Sequence, residues 1–177
     1  MNKISTKKIA LNGLMIALVF LGTYLTRIPG PVAPGYLNFG DAVIMVAAIL
    51  LGRNSGFLAG AVGSAIADVV TGGMIFAPIT FVVKGIEGYV IGAIAAKANE
   101  TKKGEAIKIF AVTVGAVIMV AGYFFAETFI LQIVDKTFGY SAAITELPLN
   151  LIQGGVSIVI GYALSTGLTR MGARKLL

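Results

Sequence analysis

Residues 107–134, IKIFAVTVGAVIMVAGYFFAETFILQIV, form the apolar stretch that decides the fold of this protein. A helix needs about 20 residues to cross the hydrocarbon core of a bilayer, and this stretch is long enough by itself. Further apolar runs lie on both sides of it, at residues 9–25, 42–51, 57–70, 75–96 and 147–168. The sequence therefore predicts an all-α membrane protein with six transmembrane helices, in a single membrane domain of residues 1–177.

The composition leads to the same prediction. Hydrophobic residues make up 57% of the chain and charged residues 12%, whereas a soluble domain carries about 25% charged residues. Such a chain cannot cover its apolar side chains with polar ones, so lipid must cover them. No cleavable signal peptide is expected, because no small-residue cleavage site follows the first apolar run.

The second apolar run, residues 42–51, is too short to cross a bilayer, since it would extend roughly 15 Å as a helix. The third run is also marginal unless Asn54 and Thr71 lie at the membrane interfaces. A short span is possible where protein or a water-filled cavity, rather than lipid, receives its end. We therefore expect a binding cavity at the end of the second helix.

Basic residues are concentrated on one side of the six predicted spans. That side receives Lys3, Lys7, Lys8, Arg53, Lys97, Lys102, Lys103, Lys108, Arg170, Arg174 and Lys175. The opposite side receives only Arg27 and Lys136. Cytoplasmic loops carry the excess of lysine and arginine, so both termini are predicted to be cytoplasmic. Membrane topology thus explains the net charge of +6, and no nucleic-acid partner is expected.

The predicted outer loop between the first two helices, residues 28–40, reads IPGPVAPGYLNFG. Its three prolines fix φ and remove backbone donors, so the loop should be structured and non-helical. Asn38 or Asp41 should then lie near the N-terminus of the second helix. The loop could be a rigid connector or a lid over an outward-facing pocket.

Small residues recur every four positions in the third run, at Gly52, Gly56, Gly60 and Ser64, and the series ends at Asp68. This spacing forms one stripe along a helix and lets two helix backbones approach closely in a membrane. We interpret the glycines as internal packing positions.

The first run has its own small patch, formed by Ala10, Gly13 and Ala17. Two interpretations of this patch are open. It could pack inside the protein, or it could be a docking surface for a partner helix.

Polar residues within the spans are costly unless they pair or line a cavity. Most of them, together with several aromatic residues, fall in the outer half of the predicted membrane. A few polar groups in an aromatic wall are typical of a small-molecule site. The candidate substrate-binding residues are Tyr36, Asn38, Phe81, Lys84, Glu87, Tyr123, Glu127, Asn150 and Gln153. Lys84 and Glu87 are three residues apart, so they can pair within one helix.

Enzymatic chemistry is not expected. Cysteine and histidine are both absent, which removes thiolate and imidazole metal sites and the usual nucleophile arrangements. Asp41 and Asp68 could form the acid pair of an intramembrane protease, but Asn38 stands where the Gly-x-Gly-Asp signature needs a glycine. There is no Walker sequence for ATP hydrolysis. No catalytic residue, metal or cofactor is therefore assigned.

In length and in the order of its motifs, the chain resembles the substrate-binding S components of energy-coupling factor (ECF) vitamin transporters. The resemblance is carried by Ala10-x-x-Gly13-x-x-x-Ala17, Tyr36-Leu-Asn-Phe-Gly-Asp41, the small-residue stripe ending at Asp68, and Pro78-Ile-x-Phe-x-x-Lys84-Gly-x-Glu87-Gly88. It covers nearly the whole chain. It departs from the family pattern at Gly13, where an alanine is usual.

The resemblance implies a subunit of an ABC-type importer in a bacterial plasma membrane. Such a subunit captures its vitamin at the outer face and then associates with a transmembrane T component and two cytoplasmic ATPases. It is thought to topple in order to release its cargo inward. The patch of Ala10, Gly13 and Ala17 would dock onto the T component.

Within the family, the chain is most similar to members assigned to hydroxymethylpyrimidine or pyridoxine, near the riboflavin-type group. Both are small hydroxymethylated aromatic rings. Lys84 and Glu87 would then bond the ring nitrogen and hydroxyls, and Phe81 or Tyr123 would stack on the ring. Asn150, Gln153 and Tyr36 would complete the set of bonding residues. A self-sufficient small-solute transporter or channel is the alternative function, and an intramembrane enzyme comes third.

Overall fold

A computed structural model of the protein describes residues 5–30, 36–100 and 103–173. Each of the six apolar runs lies in a helix. The remainder of the proline-rich loop, residues 31–35, lies outside the described residues. So do four of the basic residues used to predict the topology, Lys3, Lys102, Arg174 and Lys175.

The described part of the chain is mainly helical. Its α-helices are α1 (Thr6–Tyr24), α2 (Gly40–Leu51), α3 (Arg53–Leu58), α4 (Ser64–Val70), α5 (Ala77–Ala95), α6 (Gly104–Phe125), α7 (Gln132–Val134) and α8 (Tyr140–Arg170). Two π-helical segments, Ala59–Gly63 and Ala126–Leu131, join α3 to α4 and α6 to α7 as continuous helices. The 3₁₀ turn Ala96–Glu100 follows α5.

Four helical stretches of the described residues are long and apolar enough to cross a membrane. They are Thr6–Tyr24, Ala77–Ala98, Gly104–Val134 and Tyr140–Arg170. The apolar helix Gly40–Leu51 is shorter, as its run predicted. These stretches make the chain a multi-pass membrane protein.

The loop between α1 and α2 contains two short β-strands that pair with each other as a small β-hairpin. Strand β1 (Ile28–Pro29) pairs antiparallel with strand β2 (Tyr36–Leu37), with Ile28 opposite Leu37. The prediction of a structured, non-helical loop is thus confirmed for its described residues. We call this end of the molecule the hairpin end.

Helix α2 lies at the centre of the bundle, where it packs against α1, α3, α5 and α8. Ile44 and Met45 on this helix are fully buried. The helix ends because Gly52 has a φ of +89°, in the left-handed region that favours glycine. With protein on every side, a helix of 12 residues has no need to match the thickness of the membrane.

Helix α8 begins earlier than its apolar run predicted, at Tyr140 instead of residue 147. The first two turns are too polar to stand out by hydropathy, but they bury Ala142, Ala143 and Glu146 against the bundle. Tertiary packing therefore extends the helix beyond the apolar run from which it was predicted.

Two glycines of the small-residue stripe, Gly56 and Gly60, are internal packing positions, as predicted, and they pack against α5. A Cβ atom added to Gly56 would lie 2.5 Å from the carbonyl oxygen of Gly88. Gly60 is similarly close to the backbone of Lys84. The helical stretch that carries Gly56 and Gly60 therefore contacts α5 backbone to backbone. This contact fixes the position of Lys84 on α5 relative to the interior of the bundle.

Replacing Gly56 with alanine should destabilise the protein, because the new Cβ would overlap the Gly88 carbonyl oxygen and lie 2.7 Å from the Ala48 Cβ. Overpacking of this kind costs about 1–3 kcal/mol. Thermal unfolding of the purified protein in detergent measures the loss. The matched control is Gly155→Ala, because a Cβ there meets nothing within 4 Å. Equal unfolding temperatures for the two variants would contradict the close helix contact.

Candidate substrate-binding site

A polar cavity opens near the hairpin end, between β2 and the helices α1, α4, α5, α6 and α8. It has a volume of about 500 Å³ including its mouth. The lining residues are Thr23, Tyr36, Asn38, Ser64, Asp68, Phe76, Thr80, Lys84, Tyr123, Glu127, Glu146, Asn150 and Gln153. Phe76 alone among these lacks a polar side-chain group, yet most of the surface that faces the cavity is apolar, so the cavity offers a few polar groups between apolar surfaces.

One wall of the cavity is a buried hydrogen-bond network centred on Asp41. The Lys84 ammonium donates to Asp41 Oδ1, and the Gln153 amide donates to Asp41 Oδ2 over 2.7 Å. The backbone N–H of Asn38 donates to Gln153 Oε1 over 2.9 Å. Asn38 Oδ1 in turn accepts from the N–H of Gly40 at 2.8 Å, which fixes the first turn of α2. The network joins α2, α5 and α8.

Glu87 contacts this wall through Lys84 and does not itself line the cavity. Its carboxylate is fully buried, with Oε2 3.6 Å from the Lys84 ammonium. The sequence predicts the Lys84–Glu87 pair, but Asp41 is the closer partner. Lys84 therefore lies between two carboxylates, and its charge is already balanced before any ligand enters.

A second set of contacts attaches the hairpin to α4 over the mouth of the cavity. The Tyr36 hydroxyl donates to Asp68, and the Arg27 guanidinium lies 3.9 Å from the centre of the Tyr36 ring. Arg27 also donates to the carbonyl oxygen of Thr71 over 3.4 Å. Burial, together with the neighbouring Asp68 carboxylate, raises the pKa of Tyr36. The phenol therefore stays protonated and remains a donor.

The aromatic part of the lining comes from Tyr123 and Phe76, whose ring centres are 6.5 Å apart. The hydroxyls of Tyr123 and Thr80 are hydrogen-bonded at 2.9 Å. The Lys84 ammonium lies 5.4 Å from the centre of the Tyr123 ring, within the range of a cation–π contact. Tyr123 thus presents a fixed ring face to the cavity.

The remaining part of the lining is acidic. Glu127 is carried by the π-helical segment Ala126–Leu131, and Glu146 and Asn150 lie one turn apart on α8. Both glutamates are 4% exposed. Glu127 Oε2 has no hydrogen-bond partner.

The structure brings most of the predicted substrate-binding residues together around one cavity. Tyr36, Asn38, Lys84, Tyr123, Glu127, Asn150 and Gln153 all line it. Glu87 does not reach the lining and acts on it through Lys84.

Phe81 requires a correction, because its ring cannot stack on a molecule in the cavity. The side chain is 41% exposed and packs edge-on against Phe57. Thr80 and Lys84, four residues apart on α5, face the cavity. Phe81 follows Thr80 and is therefore turned about 100° away around the helix.

Several lining residues were absent from the predicted set: Thr23, Ser64, Asp68, Phe76, Thr80 and Glu146. Helical spacing could have found two of them. Thr80 precedes Lys84 by four residues, and Glu146 precedes Asn150 by four, so each shares a helix face with a predicted residue. Thr23 and Phe76 have no such signal and reach the cavity through tertiary packing alone.

The patch of Ala10, Gly13 and Ala17 lies on the exposed side of α1. A Cβ atom added to Gly13 would meet nothing within 4 Å. Of the residues of α1, only Val19 and Thr23 are buried. Internal packing therefore does not explain the small residues of this patch.

Apolar helices around a buried cavity define a multi-pass membrane protein with a candidate small-molecule site. The sequence profile of the family described as "ECF-type riboflavin transporter, S component" matches residues 3–170 of the chain. An "Uncharacterized protein in gap 3'region" of Pyrococcus woesei is 36% identical over 146 residues, which are 82% of this chain and 90% of that protein. A solved structure described as "Structure and mechanism of the S component of a bacterial ECF transporter" shares the fold, with a TM-score of 0.70 and 17% identity. The structural match covers 93% of this chain and 96% of the solved chain.

The chain belongs to the family of ECF-type transporter S components. It is a substrate-binding membrane subunit of an importer and not an enzyme, as the resemblance in its motifs predicts. S components of this family associate with a T component and ATPases.

Replacing Lys84 with methionine should destabilise the ligand-free protein strongly, because Asp41 and Glu87 would be buried without their cation. Breaking a buried ion pair by removing one partner costs about 3–5 kcal/mol. The free energy of unfolding in detergent measures the loss. Adding Asp41→Asn to the same chain should recover part of it, as in a double-mutant cycle. Additive losses would show that the two side chains are not coupled.

Proposed function

We propose that this protein captures a small hydroxymethylated aromatic compound, hydroxymethylpyrimidine or pyridoxine, at the outer face of the plasma membrane. It then delivers the compound inward with a T component and two cytoplasmic ATPases. The observation that carries the proposal is the buried cavity, in which polar side chains surround the ring of Tyr123. A flat ring with hydroxyl groups and a ring nitrogen offers both an aromatic face and hydrogen-bonding edges to such a site.

The same proposal sets the protein in the membrane as one domain of residues 1–177 with six spans. Both termini are then cytoplasmic and the hairpin end is outside. Support comes from the basic residues at the other end of the bundle, of which Lys7, Lys8, Arg53, Lys97, Lys103, Lys108 and Arg170 belong to the described residues. Positive charge is retained on the cytoplasmic side.

Within the cavity, Lys84, Gln153 and Asn38 would bond the polar edge of the ring, and Tyr123 would contact its face. Asn150 and Glu127 would bond the groups on the opposite edge. Tyr36 would close over the ligand, and Glu87 would hold the charge of Lys84. Riboflavin, which the description of the matched family names, is the compound that the single-ring substrates must be tested against.

Affinity measurements on the purified chain in detergent test this assignment. The panel is pyridoxine, hydroxymethylpyrimidine, riboflavin, thiamine, pantothenate and biotin. We expect tight binding of one of the first two without any partner subunit. Asn150→Leu should weaken that binding roughly tenfold or more, since an unpaired ligand group loses about 1–3 kcal/mol. Tight binding of riboflavin instead would overturn the single-ring assignment, and uptake into vesicles by this chain alone would favour a self-sufficient transporter.

The exposed face of α1 is the proposed docking surface for the T component. Ala10, Gly13 and Ala17 follow one another at helical spacing on this face, and they leave room for a second helix to approach closely. Because α1 buries only two residues of its own, it can give most of its surface to a partner.

Replacing Ala17 with leucine should prevent assembly with the T component, because the larger side chain would hold the partner helix away. Ligand affinity should stay unchanged, since Ala17 does not line the cavity. Co-purification with the T component and a ligand titration measure the two effects. The control is Ala163→Leu on the exposed face of α8, which should assemble normally. Normal assembly of the Ala17 variant would remove this face of α1 from the interface.

A further inference from the structure

We infer that the substrate carries a positively charged nitrogen and that Glu127, with Glu146 beside it, receives this nitrogen. The inference rests on the proposed function and adds the chemical class of the substrate. A protonated amine or a protonated ring nitrogen would satisfy it. Three observations lead to this assignment: the charge balance of the lining, an unpaired carboxylate oxygen, and the separation of the two polar edges of the cavity.

The lining carries more acidic than basic groups. Asp68, Glu127 and Glu146 are lining acids, and Lys84 is the one lining base among the described residues. The charge of Lys84 is already shared by Asp41 and Glu87. The lining therefore contains more carboxyl groups than basic groups, and a cation in the cavity would interact favourably with them.

Glu127 is a buried lining acid with an unpaired carboxylate oxygen. Its Oε2 has no hydrogen-bond partner although the residue is 4% exposed. Asp68 Oδ2 is unpaired as well, but the other oxygen of Asp68 accepts from the Tyr36 hydroxyl. Glu146, on α8, lines the same cavity. A buried carboxylate oxygen without a donor costs free energy, and a bound N–H group with a positive charge is the donor that suits it best.

The two polar edges of the cavity differ in chemistry, which orients the substrate. Glu146 and Gln153 lie seven residues apart on α8, so the edges are separated by roughly 10 Å along that helix. Lys84 and Gln153 offer N–H donors beside Asp41, so they suit the hydroxyl oxygens of a ring. Glu127 and Glu146 offer only acceptors when ionised, so they suit N–H donors. A carboxylate or phosphate on the substrate would meet these acids at close range. The site should therefore reject anionic vitamins such as biotin and pantothenate.

Pyridoxamine and pyridoxine are matched probes, because they differ only by an aminomethyl group in place of a hydroxymethyl group. At neutral pH the aliphatic amine is protonated. The purified chain should bind pyridoxamine roughly tenfold or more tightly than pyridoxine, as a charge-assisted hydrogen bond requires. Glu127→Gln keeps the shape of the side chain without its charge, and it should reduce that preference to near unity. Glu146→Gln should reduce it in the same direction.

The control is Glu105→Gln, which changes an exposed carboxylate at the other end of the bundle and should keep the preference. Equal affinities for the two probes in the unaltered chain would overturn the inference while leaving the proposed function standing. A preference that survives in both cavity variants would also overturn it. If neither probe bound and riboflavin did, the proposed single-ring substrate and this inference would fail together.

Discussion

A lysine ammonium buried in an apolar helix bundle is the constraint on which the rest of this structure depends. Lys84 is 2% exposed, and removing such a charge from water is unfavourable unless anions and donors surround it. The compensating groups come from three helices: Asp41 opens α2, Glu87 follows on α5, and Gln153 on α8 holds the second oxygen of Asp41. Their positions must agree closely, so the network fixes the mutual placement of these helices.

Close backbone packing is what makes this placement possible. Gly60 lies against the backbone of Lys84, and Gly56 lies against Gly88 one turn further along α5. Apolar burial gives little drive for helix association in lipid, so van der Waals contact between backbones must supply it. The glycines and the ion pair therefore serve one purpose: they bring α5 close enough to α2 for Lys84 to reach Asp41.

The sequence predicted the helices well because hydrophobicity and length are local properties. It predicted much of the cavity because polar residues in apolar runs are few, and most must face one another. Its errors are of two kinds: some could have been avoided by using helical spacing, and others depend on neighbouring helices. Phe81 was placed in the site although its phase on α5 turns it outward, and Glu146 was left out although its spacing from Asn150 places it on the same face. The choice of Asp41 over Glu87 as the closer partner of Lys84 depends on the position of α2, which no pattern within α5 contains.

The π-helical segment Ala126–Leu131 separates two parts of a long helix that have different tasks. In α6, which precedes this segment, Ala111, Gly115 and Met119 are buried in the bundle. Tyr123 precedes the segment on α6, and Glu127 lies within it, yet both line the cavity. The change from α-helix to π-helix therefore falls between two side chains of the same binding wall. A substitution that alters the pitch of this segment would move Glu127 relative to the Tyr123 ring and so change the shape of the wall without changing its residues.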